Sequence, residues 1–183
     1  MKTPIIINSS IITIDNTEGD RNLLQYLPWW VKNINQEKHM LSVTEESLRK
    51  ELLIAVIAFS ENREVIAIAG IVNGRNKEEK EMTFNDKKVV EIGSNFVTPS
   101  FRNQGIGSKL VSERLQICKE KNWFPVSITT NPAMIRIFSK LNARSMEDDQ
   151  QYYCLRRELC ICHHFSSDCN VCPLQKNGGW VFE

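Results

Sequence analysis

The sequence predicts an α/β or α+β fold built on one mixed sheet. Three observations predict it. Ile54–Phe59 and Val65–Val72 are β-rich runs flanking the polar segment Ser60–Arg63, which reads as a hairpin. From residue 89 onward, strand-like runs alternate with helical ones. Between one such strand and helix stands the glycine-bearing turn Gln104-Gly105-Ile106-Gly107.

The elements follow in order. Residues 5–14 read as a short strand or two, on Ile5-Ile6-Ile7 and Ile11-Ile12-Thr13-Ile14. Leu23, Leu24, Leu27, Trp30 and Val31 have helical spacing over 21–33, although Pro28 should end or kink that helix. Thr44 can cap a second helix, with Ser47 three positions on and Leu48, Leu52 and Leu53 on one face. After the hairpin, residues 72–88 mix charges of both signs and read as a solvated, mobile loop. Val89–Val97 is a strand, stopped by Thr98-Pro99-Ser100. A helix to about residue 121 carries the apolar stripe Ile106, Leu110, Val111, Leu115 and Cys118. Pro125–Thr130 is a further strand. Asn131-Pro132 then opens a helix to about Leu141, with proline in the first turn where its missing N–H does no harm. Gln151–Leu155 is read as the last strand.

Composition excludes several classes. The 183 residues carry 23 basic and 22 acidic side chains, so no strong field for nucleic acid or anionic membrane covers the molecule. The longest unbroken apolar run is Leu52–Phe59, and a membrane span needs about 20 residues. The opening Met1-Lys2-Thr3-Pro4-Ile5, broken soon after by Asn8-Ser9-Ser10, does not resemble a secretory signal. A cytoplasmic protein without disulfides is therefore expected.

The most informative segment is Arg102-Asn103-Gln104-Gly105-Ile106-Gly107. It follows a strand and opens a helix. A helix N-terminus offers free N–H groups and partial positive charge, and so receives a phosphate or pyrophosphate. Glycines let the backbone approach closely. A plain tight strand–helix turn is the alternative. Two other phosphate motifs fail: a dinucleotide fingerprint needs a glycine where Leu110 stands, and a P-loop needs Gly-Lys-Ser/Thr where Gly107-Ser108-Lys109 stands.

The stretch Phe96–Leu110 resembles the acetyl-CoA signature of the GNAT superfamily of N-acetyltransferases. Ser127–Leu141, with Asn131-Pro132-Ala133-Met134 leading into Ile137-Phe138-Ser139-Lys140-Leu141, resembles that family's following strand–helix element. The order of two helices and a hairpin before them agrees. The resemblance covers roughly residues 1–155. It implies a mixed, curved sheet flanked by helices, with acetyl-CoA as cosubstrate. It also implies a small-molecule or protein amine as acceptor, and allows a homodimer. The backbone of Phe96 and Val97 would pair with the pantetheine arm. The amides of Asn103, Gln104, Gly105, Ile106, Gly107 and Ser108 would hold the pyrophosphate, with the Arg102 and Gln104 side chains beside it. Asn131 would open the helix on the other side of the arm, and Phe138 would pack near the thioester.

Acetyl transfer needs a base for the ammonium and a proton for the departing thiolate. Glu91 is the candidate base. Alternation puts it on one strand face with Gly93 and Asn95. It precedes Gly105 by fourteen positions, a spacing similar to that of the glutamate base in histone-type members of the family. A surface or ion-paired glutamate is the alternative. Phe138 departs from the tyrosine that many members use as general acid. Either the thiolate leaves unaided, or Tyr152, Tyr153 or Ser139 substitutes, or the chain binds acyl-CoA without catalysis. Asn142-Ala143 replaces the usual Gly-Phe, and asparagine tolerates the left-handed cap.

Tyr26, Trp29 and Trp30 could line an acceptor slot, or belong to the core. The six cysteines are unevenly placed, with Cys160, Cys162, Cys169 and Cys172 crowded near the C-terminus beside His163 and His164. Four S/N ligands suit a structural zinc, with a histidine as alternate ligand. Iron–sulfur ligation, redox pairing of Cys169 with Cys172 and buried thiols are the alternatives. Residues 1–155 are thus expected to form the main domain and 156–183 a cysteine-rich appendage, with Trp180-Val181-Phe182 anchoring the chain end.

Overall fold

A computed structural model describes residues 10–15, 24–37, 43–74, 80–129, 131–146, 151–152, 155, 159 and 178–182. The fold is mixed α/β. Its strands are β1 (Ser10–Asp15), β2 (Leu52–Phe59), β3 (Val65–Asn73), β4 (Thr83–Phe84), β5 (Lys87–Val97), β6 (Phe124–Ile128), β7 (Arg144–Ser145) and β8 (Gly179–Val181). Its helices are α1 (Leu27–Ile34), α2 (Glu45–Glu51), α3 (Ile106–Glu120) and α4 (Pro132–Lys140). The open sheet follows the order β1-β2-β3-β5-β6-β8-β7, with β4 paired to β5.

The chain forms two compact units. The first comprises residues up to Val72 together with Ile92–Gln116. Here β1 and β2 pair antiparallel, as do β2 and β3, confirming the expected hairpin. Pro28 sits in the first turn of α1 instead of ending it, because the helix begins only at Leu27. Thr44 and Ser47 form a reciprocal cap on α2, each backbone N–H donating to the other's side-chain oxygen at 3.0 Å. Leu52 starts β2, so it does not extend the α2 face as the spacing suggested. The core gathers Leu27, Trp30 and Ile34 of α1 with Leu48, Leu52, Ala55, Ile57, Ile68 and Phe96.

The second unit comprises Asn73–Glu91 and residues from Ile117 on. The expected loop at 72–88 is largely ordered among its described residues. β4 and β5 form a hairpin whose two turn residues, Asn85 and Asp86, have φ of 50° and 59°. That geometry suits a two-residue hairpin loop, which Asn and Asp tolerate. β5 runs parallel to β6, and β8 lies antiparallel between β6 and β7.

Gln151–Leu155 was expected to be a strand, but residues 151, 152, 155 and 159 are helical. Tyr152, Leu155 and Leu159 lie three and four positions apart, and all are buried against Met82, Phe124 and Val181. β8 places Gly179–Val181 inside the sheet, so the far end of the expected appendage is part of this unit. Phe182 N–H donates to the Pro125 carbonyl, anchoring the chain end as expected.

Candidate functional site

In the first unit, β5 ends at Val97 and a single 3-10 turn, Pro99–Phe101, leads into the glycine-bearing segment. Asn103 and Gly105 both have left-handed φ, 62° and 84°. The chain can reverse there only through residues that accept this region. A Cβ added at Gly105 would meet nothing within 4 Å, so the backbone faces open space. The Gly105 carbonyl accepts from the Lys109 N–H at 3.0 Å, which starts the α3 ladder. The N–H groups ahead of Lys109 therefore precede the helical bonding pattern, as at any helix start. Arg102, Asn103, Gln104 and Gly105 are exposed, Gly107 and Ser108 are half-buried, and Ile106 is buried. The N-terminus of this 15-residue helix offers backbone N–H groups that can receive an anion, as helix starts do.

Two side chains of the turn behave differently from the sequence expectation. Gln104 Nε2 donates back to the Ser100 carbonyl at 3.2 Å. Arg102 is turned to Glu37, the Val97 carbonyl and the Phe96 ring, instead of standing free for a phosphate.

The strand before the turn carries a feature the sequence did not reveal. Ser94 has φ 50°, which interrupts the alternation expected to align Asn95 with Glu91 and Gly93. The two carbonyls at this irregularity are taken by distant donors. Trp30 Nε1 donates to Ser94 O at 3.1 Å, and Arg114 Nη1 donates to Gly93 O at 3.0 Å. Trp30 is thus a core residue with a polar task. Trp29 is half-buried and meets the Phe96 ring edge-on at 5.5 Å, and Tyr26 meets Phe59 at 6.0 Å.

Arg114 is the residue that sequence reasoning missed. It is fully buried on the stripe of α3 that carries Leu110 and Cys118. A charged residue four positions from both was the available signal.

In the second unit, Glu91 lies on β5 opposite Val126 of β6. Burial strips water from its carboxyl and pushes its pKa up from 4.5 to about 7, against the smaller opposing effect of a bond from the Ile128 backbone N–H. Such a carboxyl is half-charged near neutrality, where a general base is most useful.

Asn131 caps α4, its side-chain oxygen accepting from the Ala133 N–H at 2.9 Å. At the other end Asn142 adopts φ 57°, and Ala143 N–H donates to Phe138 O at 3.0 Å. This closes the helix without the glycine, as the sequence allowed.

Phe138 is fully buried, edge-on to Phe182 at 5.0 Å and tilted against Trp180 at 6.1 Å. Tyr152 is 2% exposed, with Phe84 and Phe124 at 5.6 and 6.3 Å, a core position for a residue considered as acid. Ser139 donates its hydroxyl to the Ile135 carbonyl at 3.0 Å. Tyr153, Cys160, Cys162, His163, His164, Cys169 and Cys172 lie outside the described residues. Among the described residues no group of His, Cys, Asp or Glu is arranged to hold a metal, and no helix is long and apolar enough to cross a membrane.

A left-handed glycine turn thus leads from a strand of a mixed sheet into a helix, with open space where a side chain would sit. The chain belongs to the acetyltransferase (GNAT) family, whose model matches residues 22–143. No curated protein sequence matches the chain.

Solved structures share the fold. The GNAT family N-acetyltransferase YhbS of Escherichia coli, in complex with CoA, is 15% identical with a TM-score of 0.55, over 81% of this chain and 75% of that one. A GNAT family acetyltransferase of Staphylococcus aureus is 16% identical with a TM-score of 0.56, over 94% and 98%. The N-acetylglutamate synthase of Neisseria gonorrhoeae, complexed with coenzyme A and N-acetyl-glutamate, is 12% identical with a TM-score of 0.57. There 94% of this chain covers 35% of the other.

Proposed function

We propose that this chain transfers an acetyl group from acetyl-CoA to a primary amine by direct attack in a ternary complex. The observation that carries the reading is the turn at Gly105, left-handed and open where a side chain would sit. The amides of residues 103–108 would hold the pyrophosphate, and the backbone of Phe96 and Val97 would pair with the pantetheine arm. Asn131, which caps α4, would border the arm, and Phe138, buried on the same helix, would pack near the thioester.

Glu91 is the proposed base. It takes the proton from the acceptor ammonium, and the freed amine attacks the thioester carbonyl carbon. The carbon–sulfur bond breaks, the thiolate leaves with the electron pair, and the new amide nitrogen gives up its remaining extra proton to solvent. Holding both reactants supplies much of the acceleration. Phe138 has no proton to give, and Tyr152 sits in an apolar core, so in this reading the thiolate leaves without help from either.

The test is release of free CoA thiol across a panel of primary amines, comparing wild type with Glu91→Gln. Turnover that drops by about 10²-fold or more in the variant supports the assignment of the base. Equal turnover would remove Glu91 from the chemistry.

A second reading rests on Phe138. A domain that binds acyl-CoA without transferring the acetyl group would need no hydroxyl there, and its partner would be engaged through the cysteine-rich segment. Tight acetyl-CoA binding with no turnover on any amine would select it.

A further inference from the structure

The first residue of the glycine-bearing turn is already engaged on three sides. Arg102 Nε donates to the Val97 carbonyl at 2.8 Å. Its Nη2 pairs with the Glu37 carboxylate. Its guanidinium carbon lies 5.8 Å from the centre of the Phe96 ring. Glu37 stands 65 positions upstream and is held to the end of α1 by its own N–H, which donates to Ile34 O at 2.9 Å. Both side chains remain partly open to solvent, at 41% for Arg102 and 30% for Glu37.

Two chemical facts give this cluster meaning. A guanidinium fork matches a carboxylate and a phosphate equally well in geometry, so either can occupy it. The pair is also exposed, so breaking it costs little. Arg102 stands three positions before Gly105, beside the amides that face open space. Its Nε meanwhile occupies the Val97 carbonyl, a backbone group that an extended ligand arm would pair with. Arg102 therefore engages both a carboxylate and a strand carbonyl that binding would call on.

We propose that Glu37 is an internal competitor that sets the affinity for coenzyme A. It holds Arg102 in the ligand-free protein and yields the guanidinium to a phosphate of coenzyme A on binding. The exchange breaks one ion pair and makes another, and it releases the Val97 carbonyl toward the pantetheine arm. This rests on reading the Gly105 turn as the coenzyme A cradle.

The experiment is a double-mutant cycle on the full chain, with coenzyme A titrated into wild type, Glu37→Gln, Arg102→Gln and the double variant. Glu37→Gln removes the charge but keeps the shape. Its expected effect is about threefold tighter binding, the scale of an exposed pair. Arg102→Gln is expected to bind more weakly, and adding Glu37→Gln to it should change nothing further. Unchanged or weaker binding by Glu37→Gln overturns the proposal. An equal gain in the Arg102→Gln background also overturns it, because Glu37 would then act on the ligand directly and not through Arg102. Wild type that binds coenzyme A while Glu37→Gln shows no gain sinks the competition alone. Wild type that does not bind at all sinks the cradle reading, and the competition with it.

Discussion

Arg114 Nη1 donates to the carbonyl of Gly93 at 3.0 Å, and the same atom reaches the carbonyl of Gly70 at 3.0 Å. A buried guanidinium on α3 thus ties β3 and β5 beside the left-handed Ser94. The strand irregularity is fixed from the helix that begins at the glycine-bearing turn.

Replacing Arg114 with alanine leaves buried carbonyls without their charged donor and opens a void under α3. A loss of about 3 kcal/mol is expected. Urea unfolding should show a lower midpoint. A midpoint within error of wild type would mean that these bonds are replaceable by water.

Much of this fold was legible in the sequence. The hairpin was, because two β-rich runs flank a polar turn. The cap on α2 was, because Thr44 and Ser47 stand three apart. The glycine-bearing turn and the Asn131-Pro132 helix start were legible for the same local reason. Three features were not. The helical placement of Tyr152, Leu155 and Leu159 was hidden because a short run of aromatic residues suits a strand equally well. The β4–β5 hairpin was hidden by its charged surroundings and by an Asn-Asp turn lacking glycine. The tasks of Arg114 and Arg102 are long-range, and no local pattern announces which distant carbonyl or carboxylate a guanidinium will meet.

Glu91→Gln should affect stability and activity in opposite directions. A carboxyl whose pKa rises on folding binds its proton more tightly in the folded state. Folded stability is then greatest below about pH 4.5, falls as pH climbs to about 7, and stays reduced above that. The penalty at pH 8 amounts to at most roughly 3 kcal/mol. Glutamine cannot ionise, so the variant should melt higher than wild type at pH 8, with the gap closing toward pH 4.5. An equal melting temperature at both pH values would show that the carboxyl is not desolvated.

The same group predicts the pH–rate profile. For wild type, kcat/KM should rise as pH passes about 7, where Glu91 loses its proton. Glu91→Gln should lose that limb along with most of its activity. A limb of unchanged position in the variant would assign it to the acceptor amine or another group.

Tyr152→Phe separates packing from acid catalysis. Its ring lies in the cluster with Phe84 and Phe124, which phenylalanine preserves. Unchanged kcat is expected. A fall of tenfold or more, with folding intact, would restore the phenol to the mechanism.

The central claim is that the Gly105 turn receives the phosphates of acetyl-CoA. The most direct measurement is a calorimetric titration of acetyl-CoA into wild type and Gly105→Asp. The substitution places a carboxylate in the open space before α3 and forces a side chain into a left-handed backbone. The account predicts binding by wild type and its loss in a folded Gly105→Asp. No binding by well-folded wild type, or equal binding by the variant, would contradict it.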